Sequence, residues 1–464
     1  MNGVTTGDLV LPDVQTRITD LAEYVAIPSV SLDSDPVAMR AAAQWVADRL
    51  TFAGSYLDET AGNPVVRAHW DGAPGAPTIL VYGHYDVQPA GPADEWRTPP
   101  FELAVDGDVL RGRGVTDDKG PLFIVLEVAR LFMEQEGRLP LNVKFLVEGE
   151  EEIGSPHLDE YVRSHVDDLA CDLVISADGA MWRPTEPSVS VASKGLAELN
   201  VLVEGAATDL HSGRFGGTVA NPIAALATLL ASLHDRDGRV AVDGFYQGVR
   251  ALTDQRRAEI AAVDFDDEAY RVQLGAPALA GEAGLSTLER LWERPTLEIN
   301  GVQAGGQYTV IPHRAVAHLT CRLVHQQDPA AVTGAITEHL LEHAPVGVKV
   351  TVEPAVGVPA YAVPDDHPSI VAAEAALARV YPGQTVLHAV IAGTLPATWL
   401  FEDALGVKTL FFSFSTSDEN LHAPNEFLRL HRISEGMRAW ELLWRQLAGT
   451  LAGTLAGTVE RRQA

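Results

Sequence analysis

Thr78-Ile79-Leu80-Val81-Tyr82 runs directly into Gly83-His84-Tyr85-Asp86. A short β-branched and aromatic run that stops on a histidine and a carboxylate reads as a buried strand with chemistry at its tip. The arrangement recurs along the chain. Asn142–Val147 leads into Glu148-Gly149-Glu150-Glu151-Glu152, and Asp172–Ala177 leads into Asp178. Val109–Val115 leads into Thr116-Asp117-Asp118-Lys119-Gly120, just ahead of a helix. Lys408–Phe414 leads into a polar loop ending Asn420-Leu421-His422-Ala423-Pro424-Asn425-Glu426. Val65–Trp70 adds a further strand, and helical patterns such as Ala38–Phe52 and Pro121–Glu136 lie between. Short apolar strands alternating with helices predict an α/β fold, a mixed and mostly parallel sheet with helices on both faces. Ligands of such sheets bind beyond the carboxyl ends of the strands, so the five tips are expected to meet in one crevice.

The middle of the chain has a different rhythm. Glu198–Glu204 reads as a strand and Asn221–His234 as a helix, with Pro222 suited to its first turn. Thr296–Val302 and Ala315–Val324 read as strands, Asp328–His343 as a helix and Val348–Glu353 as a strand. The order βαββαβ is the split βαβ, ferredoxin-like arrangement, an α+β unit that closes on itself. A mostly helical insertion over Asp235–Pro295 separates its first helix from its second strand. The expected division is an α/β domain over residues 1–196 and 358–464, interrupted by an inserted domain over 197–357. The tail repeats Leu-Ala-Gly-Thr three times from Leu447 to Thr458 and reads as a frayed extension of the last helix.

The chain has 464 residues, enough for two or three domains, and 46% apolar with 21% charged residues is ordinary globular composition. No stretch approaches 18 uninterrupted apolar residues, the length read as a membrane span. Met1 to Arg17 carries Asp8 and Asp13 and lacks the pattern of a signal peptide, so a cytoplasmic location is expected. With 34 Lys+Arg against 63 Asp+Glu the formal charge is −29. So acidic a surface repels phosphate backbones and anionic lipids, which argues against nucleic-acid and membrane partners. Only Cys171 and Cys321 are present, which excludes a disulfide framework and a thiolate zinc site.

The strand tips offer two histidines and several carboxylates, a donor mixture that suits Zn²⁺ or Mn²⁺. Two ions that each keep a water need about six protein bonds, and five residues supply six if one carboxylate bridges. His84, Asp117, Glu152, Asp178 and His422 fit this count. Glu151 is then left to take a proton from a metal-bound water. Asp86, two residues after His84, is placed to accept the other imidazole N–H. Taken singly each piece is bland: Asp117-Asp118 reads first as a helix cap, and Glu150-Glu151-Glu152 as a solvated turn. Their joint placement after separate strands is what points to a metal site. Arg111-Gly112-Arg113-Gly114 lacks the third glycine of a nucleotide loop.

These motifs are similar to those of the co-catalytic dinuclear metallopeptidases, the family of carnosinases, cytosolic non-specific dipeptidases, aminoacylases and glutamate carboxypeptidase. The resemblance covers roughly Leu21 to Met437. It is carried by Gly83 through Pro89, by Arg111 through Gly120 and by Glu148 through Ser155. The His84-Tyr85-Asp86-Val87-Gln88-Pro89 run, followed by Glu95-Trp96 and Pro99-Pro100-Phe101, most resembles the dipeptidase branch. The resemblance implies one metal on His84 and Asp178, the other on Glu152 and His422, and Asp117 between them. It also implies Glu151 as general base and Asp86 as the orienting carboxylate. Asp209-Leu210-His211-Ser212-Gly213 matches the lid motif whose histidine stabilises the oxyanion in the partner subunit's site, which implies a homodimer. Thr309, Arg322 and Thr394 match positions that line or contact the substrate, Arg322 as a bidentate clamp for its carboxylate. Dipeptidase relatives carry Arg-Glu-Gly-Gly-Ser-Ile-Pro where this chain reads Val390-Ile391-Ala392-Gly393-Thr394-Leu395-Pro396, so the charged pair is missing.

The expected activity is metal-dependent hydrolysis of dipeptides or short peptides. N-acyl amino acid hydrolysis on the same dinuclear site is the alternative, and a non-catalytic scaffold is disfavoured because every ligand and helper position is filled.

Overall fold

The computed structural model describes residues 7–306, 308–391 and 393–462, with side chains up to Gly449. The chain divides into two compact units. One holds the residues up to Val191, Val363–Ala389 and those from Pro396 onward; the other holds Ala192–Ala362 and Val390–Leu395.

The sheet of the first unit runs Tyr56–Asp58, Val65–Trp70, Asn142–Glu148, Thr78–His84, Leu173–Ser176, Thr409–Phe411, Ser188–Ser193. Its four central strands, Asn142–Glu148 through Thr409–Phe411, are parallel, and antiparallel strands flank them. The fold class is thus the α/β one expected, with a mixed sheet whose parallel strands sit at the centre. Those strands are buried on both faces, which is why they read as continuous apolar runs rather than alternating ones. Leu80 and Tyr82 pack on one face against Leu158, Tyr161 and Phe401 from the helices Leu158–Ser164 and Pro396–Leu405. Residues of opposite parity face the other way. There a Cβ on Gly83 would lie 2.8 Å from the Asp118 carboxylate and 3.2 Å from Leu122, so glycine permits the close approach of the helix Lys119–Glu136.

The helix starts follow local chemistry. Asp35 caps Pro36–Arg49, Asn221 caps Pro222–Ala231 and Asp328 caps Pro329–Glu342, each with proline in the first turn where no N–H is needed. The last helix, Leu430–Arg462, runs through the Leu-Ala-Gly-Thr repeat, whose side chains beyond Gly449 lie outside the described residues, as do residues 1–6. Trp440 and Trp444 on this helix make edge and stacked contacts with Phe412 and Phe132, worth about 0.5–1.5 kcal/mol per pair beyond their burial.

The second unit is built on a four-stranded antiparallel sheet in the order Thr296–Ala304, Arg314–Leu323, Gly195–Glu204, Lys349–Val358. Numbered along the chain that is 2-3-1-4, the βαββαβ pattern read from the sequence. Gly195–Glu204 alternates buried and half-buried residues, and the buried set packs with Leu226, Leu229, Val332 and Ile336 of the two helices. The insertion holds three short helices, Asp254–Ala261, Asp267–Gln273 and Thr287–Glu293, the last opened by a Ser286/Glu289 capping box.

Candidate metal centre

The expected ligands converge, although Val109–Val115 forms only a short strand, Val109–Arg111, in a separate antiparallel sheet rather than a strand of the main one. His84 is the last residue of its strand, which runs two residues further than the apolar run suggests. Asp178 lies two residues past Leu173–Ser176, and Glu152 sits in the 3₁₀ turn Glu151–Ile153 that follows Asn142–Glu148. Asp117 stands just ahead of the helix Lys119–Glu136, and His422 lies in the loop before the strand Phe427–Arg429, itself at φ 60°. Two groups of donor atoms form, His84 with Asp117 and Asp178, and Asp117 with Glu152 and His422, each drawn within 4.8 Å of one another. Asp117 belongs to both. Its Oδ1 faces His84 Nε2 at 3.2 Å and its Oδ2 faces His422 Nε2 at 3.0 Å. His422 Nε2 also stands 3.2 Å from Glu152 Oε2.

The residues around these donors aim them. His84 Nδ1 lies 3.1 Å from the Asp86 carbonyl and 3.3 Å from its Oδ1. With its Nδ1–H given to Asp86, a neutral His84 turns its Nε2 lone pair towards the Asp117 carboxylate. A shared cation explains two facing electron-pair donors, and imidazole with carboxylate is the set that zinc and manganese take. Asp86 also accepts the backbone N–H groups of Glu151 and Glu152 at 3.3 and 3.1 Å, so one buried carboxylate orients both the histidine and the acidic turn.

The three glutamates of that turn point three ways. Glu150 is buried and accepts from His157 and from the Asn63 N–H. Glu152 accepts from the Gln88 N–H at 3.1 Å and from its side-chain amide at 2.9 Å. The Glu151 carboxylate takes no hydrogen bond among the described residues, and burial with neighbouring carboxylates holds its pKa well above the usual range. Burial and Asp117 push Asp178 up to about 6. The imidazoles of His422 and His84 beside it hold Asp117 far below the carboxylate range, and His422 is raised to about 10 by Asp117 and Glu152. These opposed shifts belong to a tight cluster of acids and imidazoles in little water.

Several positions that organise the centre had no role in the sequence reading. Glu426 is fully buried and accepts from Arg113 at 2.7 Å and from the N–H groups of Gly114, Thr116 and Asp117 at 3.0, 2.9 and 3.2 Å. It ties the loop that carries Asp117 to the loop that carries His422. Asp118 stands at the N-cap of Lys119–Glu136 yet makes no cap; its Oδ2 accepts the His84 N–H at 3.2 Å instead. Gln88 lies inside the quoted motif, and Glu426 follows His422 by four residues, which are the only signals the sequence carried for them.

The other expected site residues belong to the second unit and form two pairs. His211 lies on a two-residue strand, Leu210–His211, that pairs with Val310–Ile311, and the Thr309 carbonyl accepts from Ser212 next to it. His211 is exposed, and its Nδ1 accepts the Gly213 N–H at 3.1 Å, which leaves Nε2–H as a donor in the neutral ring. Arg322 donates from Nη1 to Thr394 Oγ1 at 2.9 Å. Of the departing segment, Val390 and Ile391 lie on the strand Leu387–Ile391, and Ala392 is outside the described residues.

A family profile described as Peptidase family M20/M25/M40 matches residues 80–446. The chain belongs to that family. Cys-Gly metallodipeptidase DUG1 of Saccharomyces cerevisiae is 32% identical over 389 residues, 81% of this chain and 80% of that protein. Beta-Ala-His dipeptidase of Homo sapiens is 30% identical over 395 residues, 83% of this chain and 78% of that protein. The crystal structure of the M20 family metallo-carboxypeptidase Sso-CP2 from Sulfolobus solfataricus superposes with a TM-score of 0.81 at 30% identity, covering 93% of this chain and 99% of that one. This M20 peptidase is a metallopeptidase on the dipeptidase branch, a hydrolase of peptide bonds. None of its described helices is long and apolar enough to cross a membrane.

Proposed function

We propose that this M20 peptidase hydrolyses dipeptides and short peptides with two divalent cations, Zn²⁺ or Mn²⁺. His84 and Asp178 would hold one, Glu152 and His422 the other, and Asp117 would serve both. The observation that carries this reading is the Asp117 carboxylate, whose two oxygens each face a different histidine. Bound there, two such ions would supply Lewis acidity and make the attacking water more acidic, towards a pKa of ~7. Glu151, whose carboxylate takes no hydrogen bond among the described residues and whose pKa is raised, would take a proton from the attacking water and return it to the leaving amine. Asp86 keeps His84 in the tautomer a ligand needs. Arg322, braced by Thr394, clamps the free carboxylate of the substrate and Thr309 is a further contact for it, which limits substrates to short chains.

The missing charged pair at Val390-Ile391 favours a second reading, N-acyl amino acid hydrolysis, which needs no recognition of a substrate amine. One experiment separates the two. Metal-depleted protein is reloaded with Zn²⁺ or Mn²⁺ and assayed on dipeptides, a tripeptide and acetylated amino acids. Turnover of dipeptides that depends on added metal is expected. Activity confined to the acetylated members refutes the dipeptidase reading, and turnover without metal refutes the site.

The proposal extends to assembly. The inserted domain acts as lid and dimerisation surface of a cytoplasmic homodimer that has neither nucleic acid nor membrane as a partner. Its edge strand Thr296–Ala304 leaves Ile299 and Val302 exposed at 42% and 52%, apolar surface of the kind an interface covers. His211, with Nε2–H as donor, then serves the oxyanion in the partner's site. His211→Ala is expected to keep its metal and to lose kcat by about 10²–10³-fold. Mixing it with Glu151→Gln subunits regenerates one intact site per heterodimer, so activity recovers in part. Verified heterodimers without recovery refute the trans role.

A further inference from the structure

The second unit contains a cavity of about 540 Å³ whose walls carry Lys194, Arg290, Arg294 and Arg322 against the carboxylates of Glu282 and Glu298. In a chain of formal charge −29 this cationic lining is out of character. Arg294 and Glu282 satisfy each other, Nη2 and Nε donating to the two carboxylate oxygens at 2.8 and 2.9 Å. The other three cations have no carboxylate at ion-pair distance among the described residues. Arg290 donates to the Ala280 carbonyl and to Thr287 Oγ1, and Arg322 to Thr394 Oγ1. Lys194 is 4% exposed and donates to the carbonyls of Arg294 and Arg290 at 2.7 and 3.5 Å. Those carbonyls lie at the C-terminal end of the helix Thr287–Glu293, where a cation is welcome, and the ammonium keeps a third N–H.

Lys194 and Arg322 are neighbours. Both line the cavity: Arg322 stands opposite Leu196 in the sheet register, and Lys194 immediately precedes the strand Gly195–Glu204. Burial and the Arg322 guanidinium together lower the Lys194 pKa to about 8. A buried ammonium beside a like charge is raised in energy, and an anion between the two cations reverses the sign of that interaction.

We infer that this cavity takes the side-chain carboxylate of an acidic C-terminal residue, so that the enzyme selects substrates ending in aspartate or glutamate. The inference rests on the proposed role of Arg322 as the clamp for the α-carboxylate. Lys194 and Arg290 then receive the second carboxylate of the same residue. Both bonds form in the ground state as well as the transition state, so their loss falls mainly on KM.

The test compares Ala-Glu with its uncharged isostere Ala-Gln on the metal-loaded enzyme, and N-acetyl-Glu with N-acetyl-Gln in parallel. A kcat/KM preference of about 10–100-fold for the acidic member is expected, the worth of a charge-assisted hydrogen bond. In Lys194→Met and in Arg290→Met the preference shrinks at least about tenfold through KM, and Lys194→Arg restores it. A merely structural Lys194 lowers both substrates together and leaves the ratio unmoved; Arg290→Met carries the test should Lys194→Met not fold. Equal rates on acidic and amide members, or a ratio that neither methionine variant moves, overturn the inference and leave the peptidase reading standing. Failure to hydrolyse any of the four substrates overturns both.

Discussion

Asp117→Ala is expected to abolish activity and to empty both metal positions, the largest effect of any single change at the centre. Each other ligand faces one group of donors, whereas Asp117 serves two through its two oxygens. The fold should survive. The backbone around position 117 is held by the Glu426 carboxylate, which accepts the N–H groups of residues 114, 116 and 117 whatever the side chain there. Metal analysis of the purified variant and thermal melts with and without added Zn²⁺ check this. A ligand that binds only the folded state at 100 times its Kd stabilises by about 2.7 kcal/mol, so the wild type should melt higher with metal and the variant should not. Two tightly retained ions in Asp117→Ala would remove it from the bridging position.

Glu151→Gln is expected to keep both ions and to lose turnover by about 10²–10⁴-fold, because an amide cannot accept the proton. Glu152→Gln should instead weaken one ion, seen as a drop in stoichiometry on dialysis against a chelator. The two neighbours differ through what their carboxylates meet. That of Glu152 is fixed by two bonds from Gln88 and faces His422, while that of Glu151 takes no hydrogen bond among the described residues. Consecutive residues in a 3₁₀ turn project about 120° apart, so adjacent glutamates serve separate tasks. Metal loss in Glu151→Gln with retention in Glu152→Gln would mean that the turn is read one residue out of register.

Local chemistry made much of this protein readable. The apolar runs ahead of His84, Glu148 and Asp178 are strands because residues buried on both faces leave few polar positions before the tip. The helices at Pro222 and Pro329 start one residue after the expected Asn221 and Asp328, which cap them, whereas the helix expected from Ala38 begins two residues earlier, at Pro36 behind its cap Asp35. The βαββαβ order of the second unit was visible too, since period-2 and period-3.6 patterns alternate along it.

Other features exist only once distant segments meet. Nothing local marks Glu426 as the partner of a loop more than three hundred residues earlier, nor gives Asp86 its second task on the Glu151–Ile153 turn. Asp118 reads as a helix cap, and only the approach of the strand at Gly83 turns its carboxylate to the His84 N–H. The short segment Val390–Leu395 joins the second unit although its neighbours on both sides belong to the first, and that brings Thr394 to Arg322. The four cationic walls of the cavity come from residues as far apart as Lys194 and Arg322. The sequence by itself determined which residues end the strands and what donor chemistry they bring, because side-chain period, capping and composition act over a few residues. The tertiary structure decided which oxygen faces which nitrogen and which charges are left unpaired, because those depend on hydrogen bonds and burial between segments hundreds of residues apart.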